Sequence, residues 1–152
     1  MLLFFFFGCD LPYPPPAPQK ANSAKIITLQ FEGDFSGKSE NWTVLNENSL
    51  SQIKFNINNY YYNIDSVVFK ASLRSEQQNV RCFVELFNIT EGVPIAGSTL
   101  TSKIRYQLHS VRSENVKFNL PAKDMVLGVR VRSERNSNYI EARNFLLLLY
   151  YH

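Results

Sequence analysis

The chain is short of the residues from which most enzyme sites are built. Its 152 residues include two histidines, His109 and His152, and two cysteines, Cys9 and Cys82. It holds no His-Glu-x-x-His zinc motif, no nucleophile elbow and no phosphate-cradling glycine loop. The cysteines do not form a metal-type pair, so no metal and no cofactor is expected. No apolar run approaches the ~20 residues a spanning helix needs. Charge is low, with a formal net of +3 and Lys and Arg scattered rather than clustered, which speaks against nucleic acid as a partner. Proline is almost missing from the body of the chain. Five of the seven fall between Pro12 and Pro18, leaving Pro94 and Pro121 elsewhere.

What is present begins with an apolar start. Met1 to Phe7 carries no charge, Gly8 and Cys9 follow, and Asp10 opens the proline-rich stretch. Phe6-Phe7-Gly8-Cys9 resembles the end of a bacterial lipoprotein signal. Gly8 supplies the small residue before the cysteine, while Phe7 is bulkier than usual and Phe6 replaces the usual leucine. The resemblance implies a lipid on Cys9, attachment to a membrane through it, and a cell-envelope location, periplasmic or surface-exposed. The basic segment that precedes such a run is missing, and the run is short against the usual ~7–15 residues. The reading therefore expects the true start to lie upstream. Residues 1–9 are read as the signal remnant, 10–24 as a disordered Pro-rich tether, and 25–152 as one domain. Prolines favour polyproline II, whose rise of ~3.1 Å per residue lets Leu11–Gln19 hold a domain about 30 Å from the bilayer. Cys82 lies in an alternating apolar segment and reads as a small buried hydrophobe, not a disulfide partner.

The body alternates with period two, the signature of half-buried strands. Ile27, Leu29 and Phe31 share one face; so do Ile53, Phe55 and Ile57. Val67, Phe69, Ala71 and Leu73 repeat the pattern, as do Leu127, Val129 and Val131. Val80–Asn88 carries apolar residues on both faces and is expected to be central. Asn115–Leu120 alternates through Val116, Phe118 and Leu120, and is expected to be a strand. Lys103–Arg112 fits either a helical face or a strand, and its Thr, Ser and Val favour the strand. The closing Asn138–Tyr151 segment is apolar on both faces from Phe145 to Leu149, so it must be central or covered. Turn signals fall at Gly33–Gly37, Asn58–Asn59, Ser75–Asn79, Glu91–Pro94, Pro121–Asp124 and Glu134–Asn138. About eight strands at this spacing predict an all-β fold, an antiparallel β-sandwich of jelly-roll type, with the first and last segments free to pair.

Val84–Ser98, Ser110–Ser113 and Phe118–Pro121 together resemble the jelly-roll modules of extracellular and carbohydrate-binding proteins. That resemblance implies a fold and, without a signature motif, no particular ligand. Glu32, Asp34, Glu40 and Glu47 read as solvated residues rather than as a glycosidase pair or calcium ligands, since their spacing matches no standard motif. The aromatics are more informative. Trp42 is the only tryptophan and follows a polar loop, and Tyr60, Tyr61 and Tyr62 are consecutive, so at least one faces outward. Exposed Trp and Tyr rings stack on sugars and anchor interfaces. The expectation is a non-catalytic, lipid-anchored β-sandwich outside the cytoplasm that binds a carbohydrate or a protein through Trp42 and Tyr60–Tyr62. Two alternatives stand beside it: a structural or assembly subunit of the cell envelope, and a degenerate hydrolase.

Overall fold

The structure is a computed structural model that describes residues 24–45, 51–60 and 62–152. The signal remnant, the tether up to residue 23, Cys9 and Tyr61 lie outside the described residues. Eleven strands are described. They are β1 Lys25–Phe31, β2 Phe35–Gly37, β3 Thr43–Val44, β4 Ile53–Phe55, β5 Ile64–Ser75, β6 Cys82–Asn88, β7 Val93–Pro94, β8 Leu100–Ser102, β9 His109–Arg112, β10 Met125–Ser133 and β11 Ile140–Tyr151.

Antiparallel pairing builds two sheets. The first runs β1-β11-β5-β9, with β2 also on β11; the second runs β3-β10-β6-β7, with β4 also on β10 and β8 also on β6. Alternation decides which side chains fill the space between them. Val67, Phe69, Ala71, Leu73, Leu147 and Leu149 come from the first sheet, and Val84, Leu86, Leu127, Val129 and Val131 from the second; all are fully buried. The fold is thus an all-β antiparallel sandwich, as the periodicity predicts. β1 pairs with β11 along its whole length, from Lys25 opposite Tyr151 to Phe31 opposite Phe145. β11 is central, between β1 and β5, and β6 is central in its own sheet.

Three local expectations fail for identifiable reasons. Asn115–Leu120 is not a strand: Lys117–Asn119 is a 3-10 turn with Phe118 85% exposed. The Asn115 side-chain oxygen accepts from the N–H of Lys117 and of Val67, closing the turn against β5. Within Lys103–Arg112 only β9 is a strand; Ser75 donates to the Ile104 carbonyl and accepts from Tyr106 N–H, and Tyr106 sits at φ 64°. The Gly33–Gly37 and Glu91–Pro94 turns each give way to a short strand, β2 and β7. With β3 and β8, these account for a count of eleven strands, not eight.

A bulge divides β11. Asn144 adopts φ 57°, and the β5 register shifts between Arg143 and Leu146. Asparagine tolerates this left-handed geometry better than most residues. Ahead of the bulge β11 pairs with β2, and beyond it with β1. The extra residue returns Phe145 to the core in step with Leu147 and Leu149.

Cys82 is fully buried and free, its thiol donating to the Ser102 carbonyl at 3.2 Å. Burial pushes that thiol up from 9.0 to about 11. Because the unfolded chain releases this proton first, the protein is unaffected below the ordinary pKa of 9.0 and loses stability as pH rises from there towards about 11.

At one end the sheets are joined by a polar clamp. Asn138 is fully buried; its amide donates to Ser133 Oγ at 2.9 Å, and its oxygen accepts from Ser75 Oγ and Gln77 N–H, both at 3.0 Å. Ser75 closes the first sheet's β5 and Ser133 the second sheet's β10. Asn138→Ala removes three hydrogen bonds, although Ser75 Oγ keeps the Gln77 carbonyl and Ser133 Oγ the Arg135 N–H, and is expected to cost roughly 1–3 kcal/mol. Urea unfolding measures it; an unchanged midpoint would show that the clamp contributes nothing.

Candidate functional site

The outer face of the second sheet carries a concentrated group of aromatic and arginine side chains. Inward residues of β6 and β10 form the core, so Phe83, Glu85, Phe87, Arg130 and Arg132 must point out. Register places Arg132 opposite Phe83, Arg130 opposite Glu85, and Gly128 opposite Phe87. Thr43 pairs with Val131, which brings Trp42 beside Arg132. The loop before Trp42 is held there by Ser133 N–H donating to the Ser39 carbonyl at 2.6 Å and Glu40 N–H donating to Asn136 Oδ1 at 2.9 Å.

The rings and guanidinium groups interleave. Arg130 lies 4.7 Å from the Trp42 centroid and 4.6 Å from that of Phe87. Arg132 lies 5.1 Å from Trp42 and 4.3 Å from Phe83, and Arg81 lies 5.4 Å from Phe83. Planar guanidinium suits such stacking better than an ammonium does. Two of the three charges are neutralised. Arg130 pairs with Glu85, which is 5% exposed and also accepts from Thr99 Oγ1 at 2.6 Å. Arg81 pairs with Glu134, whose carboxyl is held below its ordinary range mainly by the hydrogen bond from the Arg81 side chain. Arg132 has no carboxylate partner among the described residues, and its Nε is buried without an acceptor.

The tyrosines lie elsewhere. Tyr60 is half-buried, 5.7 Å from Phe55, and burial raises its phenol pKa. Tyr62 is 53% exposed and stacks on Tyr151 at 4.3 Å. With Ile57, Asn58, Asp65 and Lys117 they line an open groove of about 530 Å3. Phe55 is opposite Met125, whereas Trp42 is level with Arg132. Seven residues of strand separate these levels, about 23 Å at ~3.3 Å each. Trp42 and the tyrosines therefore occupy opposite ends of the sandwich. Lys25, where the described chain enters, is at the tyrosine end, since it faces Tyr151 and Tyr151 faces Ile64.

The remaining chemistry is dispersed. His109 is exposed on β9 at the Leu73 level, while His152 meets Asp65 at 2.6 Å at the other end. Glu32, Asp34 and Glu40 are exposed, and Glu47 lies outside the described residues. A cleft of about 100 Å3 holds Glu76 and Glu141 with Arg74, Tyr106 and Tyr139, but Glu141 is taken up by Arg74 and Arg143. Among the described residues no group of three or more His, Cys, Asp or Glu stands ready to hold a metal ion.

No family model and no curated protein matches the chain. Solved structures do. Infectious bursal virus-derived T=1 particles match with a TM-score of 0.50 at 8% identity, over 93% of this chain and 36% of theirs. The infectious bursal disease virus VP2 subviral particle matches with a TM-score of 0.51 at 8% identity, over 93% of this chain and 38% of its own. The chain thus spans little more than a third of these viral proteins. What it shares with them is the jelly-roll sandwich.

Sequence reasoning singled out Trp42 and missed its neighbours. Their signal is the outward half of the β6 and β10 alternation, and only the register unites it. Glu85 is the charge that keeps Arg130 in place. Glu85→Ala is expected to destabilise the protein by about 2–3 kcal/mol, and adding Arg130→Met to recover most of the loss. Urea midpoints of the single and double variants check this; an undisturbed single variant would refute it.

Proposed function

We propose that this protein is a non-catalytic β-sandwich recognition module that binds a carbohydrate or a protein partner through the outer face of the second sheet around Trp42. It is held at the cell envelope by a lipid on Cys9. The observation that carries the reading is the cluster of Trp42, Phe83, Phe87, Arg130 and Arg132 on the face of two central strands. Rigid aromatic rings and arginines are the side chains that dominate binding energy at recognition surfaces. Their seating supports this further, because the core already takes its apolar filling from the inward residues.

Anchoring and recognition fit one another in this geometry. The chain enters at Lys25, at the tyrosine end, and Trp42 stands at the other end. A tether from Cys9 would present the Trp42 face away from the bilayer. Tyr60, Tyr62 and the exposed Phe118 would then stand nearer the anchor.

A second reading is assembly. The viral structures that share this fold are a T=1 particle and a subviral particle. Here β11 turns Leu146, Leu148 and Tyr150 outward, half-buried, with Ile26 50% exposed beside them. That stripe suits a second copy better than a sugar.

A glycan array probed with the full chain separates these readings. Binding that Trp42→Ala abolishes and Tyr62→Ala retains is the expected result. A blank array together with concentration-dependent self-association in sedimentation would replace recognition with assembly. Anchoring is tested apart, by acyl-label incorporation in bacterial cells: the chain is expected to take up label and Cys9→Ala to take up none. An unlabelled wild-type chain would overturn it.

A further inference from the structure

Charge is balanced across the Trp42 face at every arginine but one. Glu85 neutralises Arg130 and Glu134 neutralises Arg81. Arg132, at the centre between Trp42 and Phe83, has two rings for neighbours and, among the described residues, no carboxylate. Stacking satisfies the face of a guanidinium, not the N–H groups along its edge. Its Nε is buried without an acceptor, whereas neither Nη is buried in this way, so a ligand meets the guanidinium at its Nη edge.

We infer that Arg132 receives the carboxylate of an acidic polysaccharide, with the sugar ring seated beside Trp42. This rests on the recognition face proposed above and names its ligand class. One uronic-acid residue supplies both things the site asks for. Its carboxylate accepts two parallel hydrogen bonds from a guanidinium, the geometry arginine is suited to. Its C–H face is apolar and packs on a ring. An acidic peptide fits less well. Peptides commonly gain affinity by adding a strand to a sheet edge. Arg132 and Phe83 belong to β10 and β6, which pair with each other in the middle of the sheet. The site therefore offers side chains rather than free backbone. A neutral glycan would leave the Arg132 charge as uncompensated as it is now.

Calorimetric titration of the full chain with oligogalacturonate, a neutral glucan of equal length, and poly-L-glutamate tests the inference. Oligogalacturonate is expected to bind, more weakly as salt is raised. Arg132→Gln is expected to lower its affinity roughly 10- to 100-fold, the value of a charged hydrogen-bonded contact. Arg132→Lys keeps the charge without the planar fork and is expected to fall between. Lys54→Gln, on the same sheet at the other end, is expected to bind as the wild type does, which excludes general attraction to cations. Matched urea midpoints show that the variants are folded. Equal affinity in wild type and Arg132→Gln overturns the inference. So does preference for the neutral glucan or for poly-L-glutamate; if that binding is lost in Trp42→Ala, the recognition face stands and only its anionic-sugar specificity falls. Failure of all three probes with folded protein overturns the inference as well, while the array still decides the wider reading.

Discussion

Asn138 holds the molecule's two halves in register. The two sheets of a β-sandwich are joined only through their connecting segments, and the apolar packing between them is non-directional. A buried amide is less forgiving. Asn138 has Ser75 on one side and Ser133 on the other, both buried, and is hydrogen-bonded to each. The proposed recognition face inherits this constraint. Ser133 follows Arg132 directly, and its backbone N–H also holds the Ser39 carbonyl at the start of the loop that delivers Trp42. One polar cluster thus sets both the end of β10 and the position of the tryptophan laid against it.

The face itself follows from how a sheet divides its side chains. Alternation gives β10 an inner row of Leu127, Val129 and Val131 and an outer row that includes Arg130 and Arg132. Glycine at position 128 leaves space in that outer row. A Cβ there would meet Ile89 Cδ1 at 2.6 Å, so Ile89 lies across the strand at this point. Arginine stems cover apolar ring surface while their heads stay near water. Glu85 shows that a half-buried guanidinium on this face is given a counter-charge where the fold can supply one. That contrast is what sets Arg132 apart.

Long strands were readable because one face of each meets the core. β1, β5 and β10 show clean alternation, and the segments apolar on both faces, β6 and the Phe145–Leu149 run of β11, demanded central positions, which they occupy. Short strands escaped because two or three residues carry no period: β2, β3, β7 and β8 exist through the partners they extend. Asn115–Leu120 misled because Val116 and Leu120 are buried as a strand would bury them, yet Phe118 between them is exposed. Spacing alone does not separate a turn tied down at both ends from an extended strand. The bulge at Asn144 had only the asparagine itself to mark it. At the site, composition flagged Trp42 and the tyrosines together, although register sets them at opposite ends. The arginines were visible only as scattered charge, because cross-strand neighbours are far apart in sequence.

The shared jelly-roll architecture narrows function less than the placement of side chains does. At 8% identity the viral particle proteins show that such a sandwich is reachable from an unrelated sequence, which is a statement about packing. The two outward faces of this chain differ in kind. The first sheet turns out Leu146, Leu148 and Tyr150, a stripe without charge on its central strand. The second turns out rings interleaved with guanidinium groups. An apolar stripe gains most from a large, dry contact such as a second copy provides. A face of rings and arginines gains from a ligand that brings both an apolar surface and an acceptor. The surfaces do not compete, since they lie on opposite sides of one core, and pairing through the first sheet leaves the second open to the ligand proposed for it.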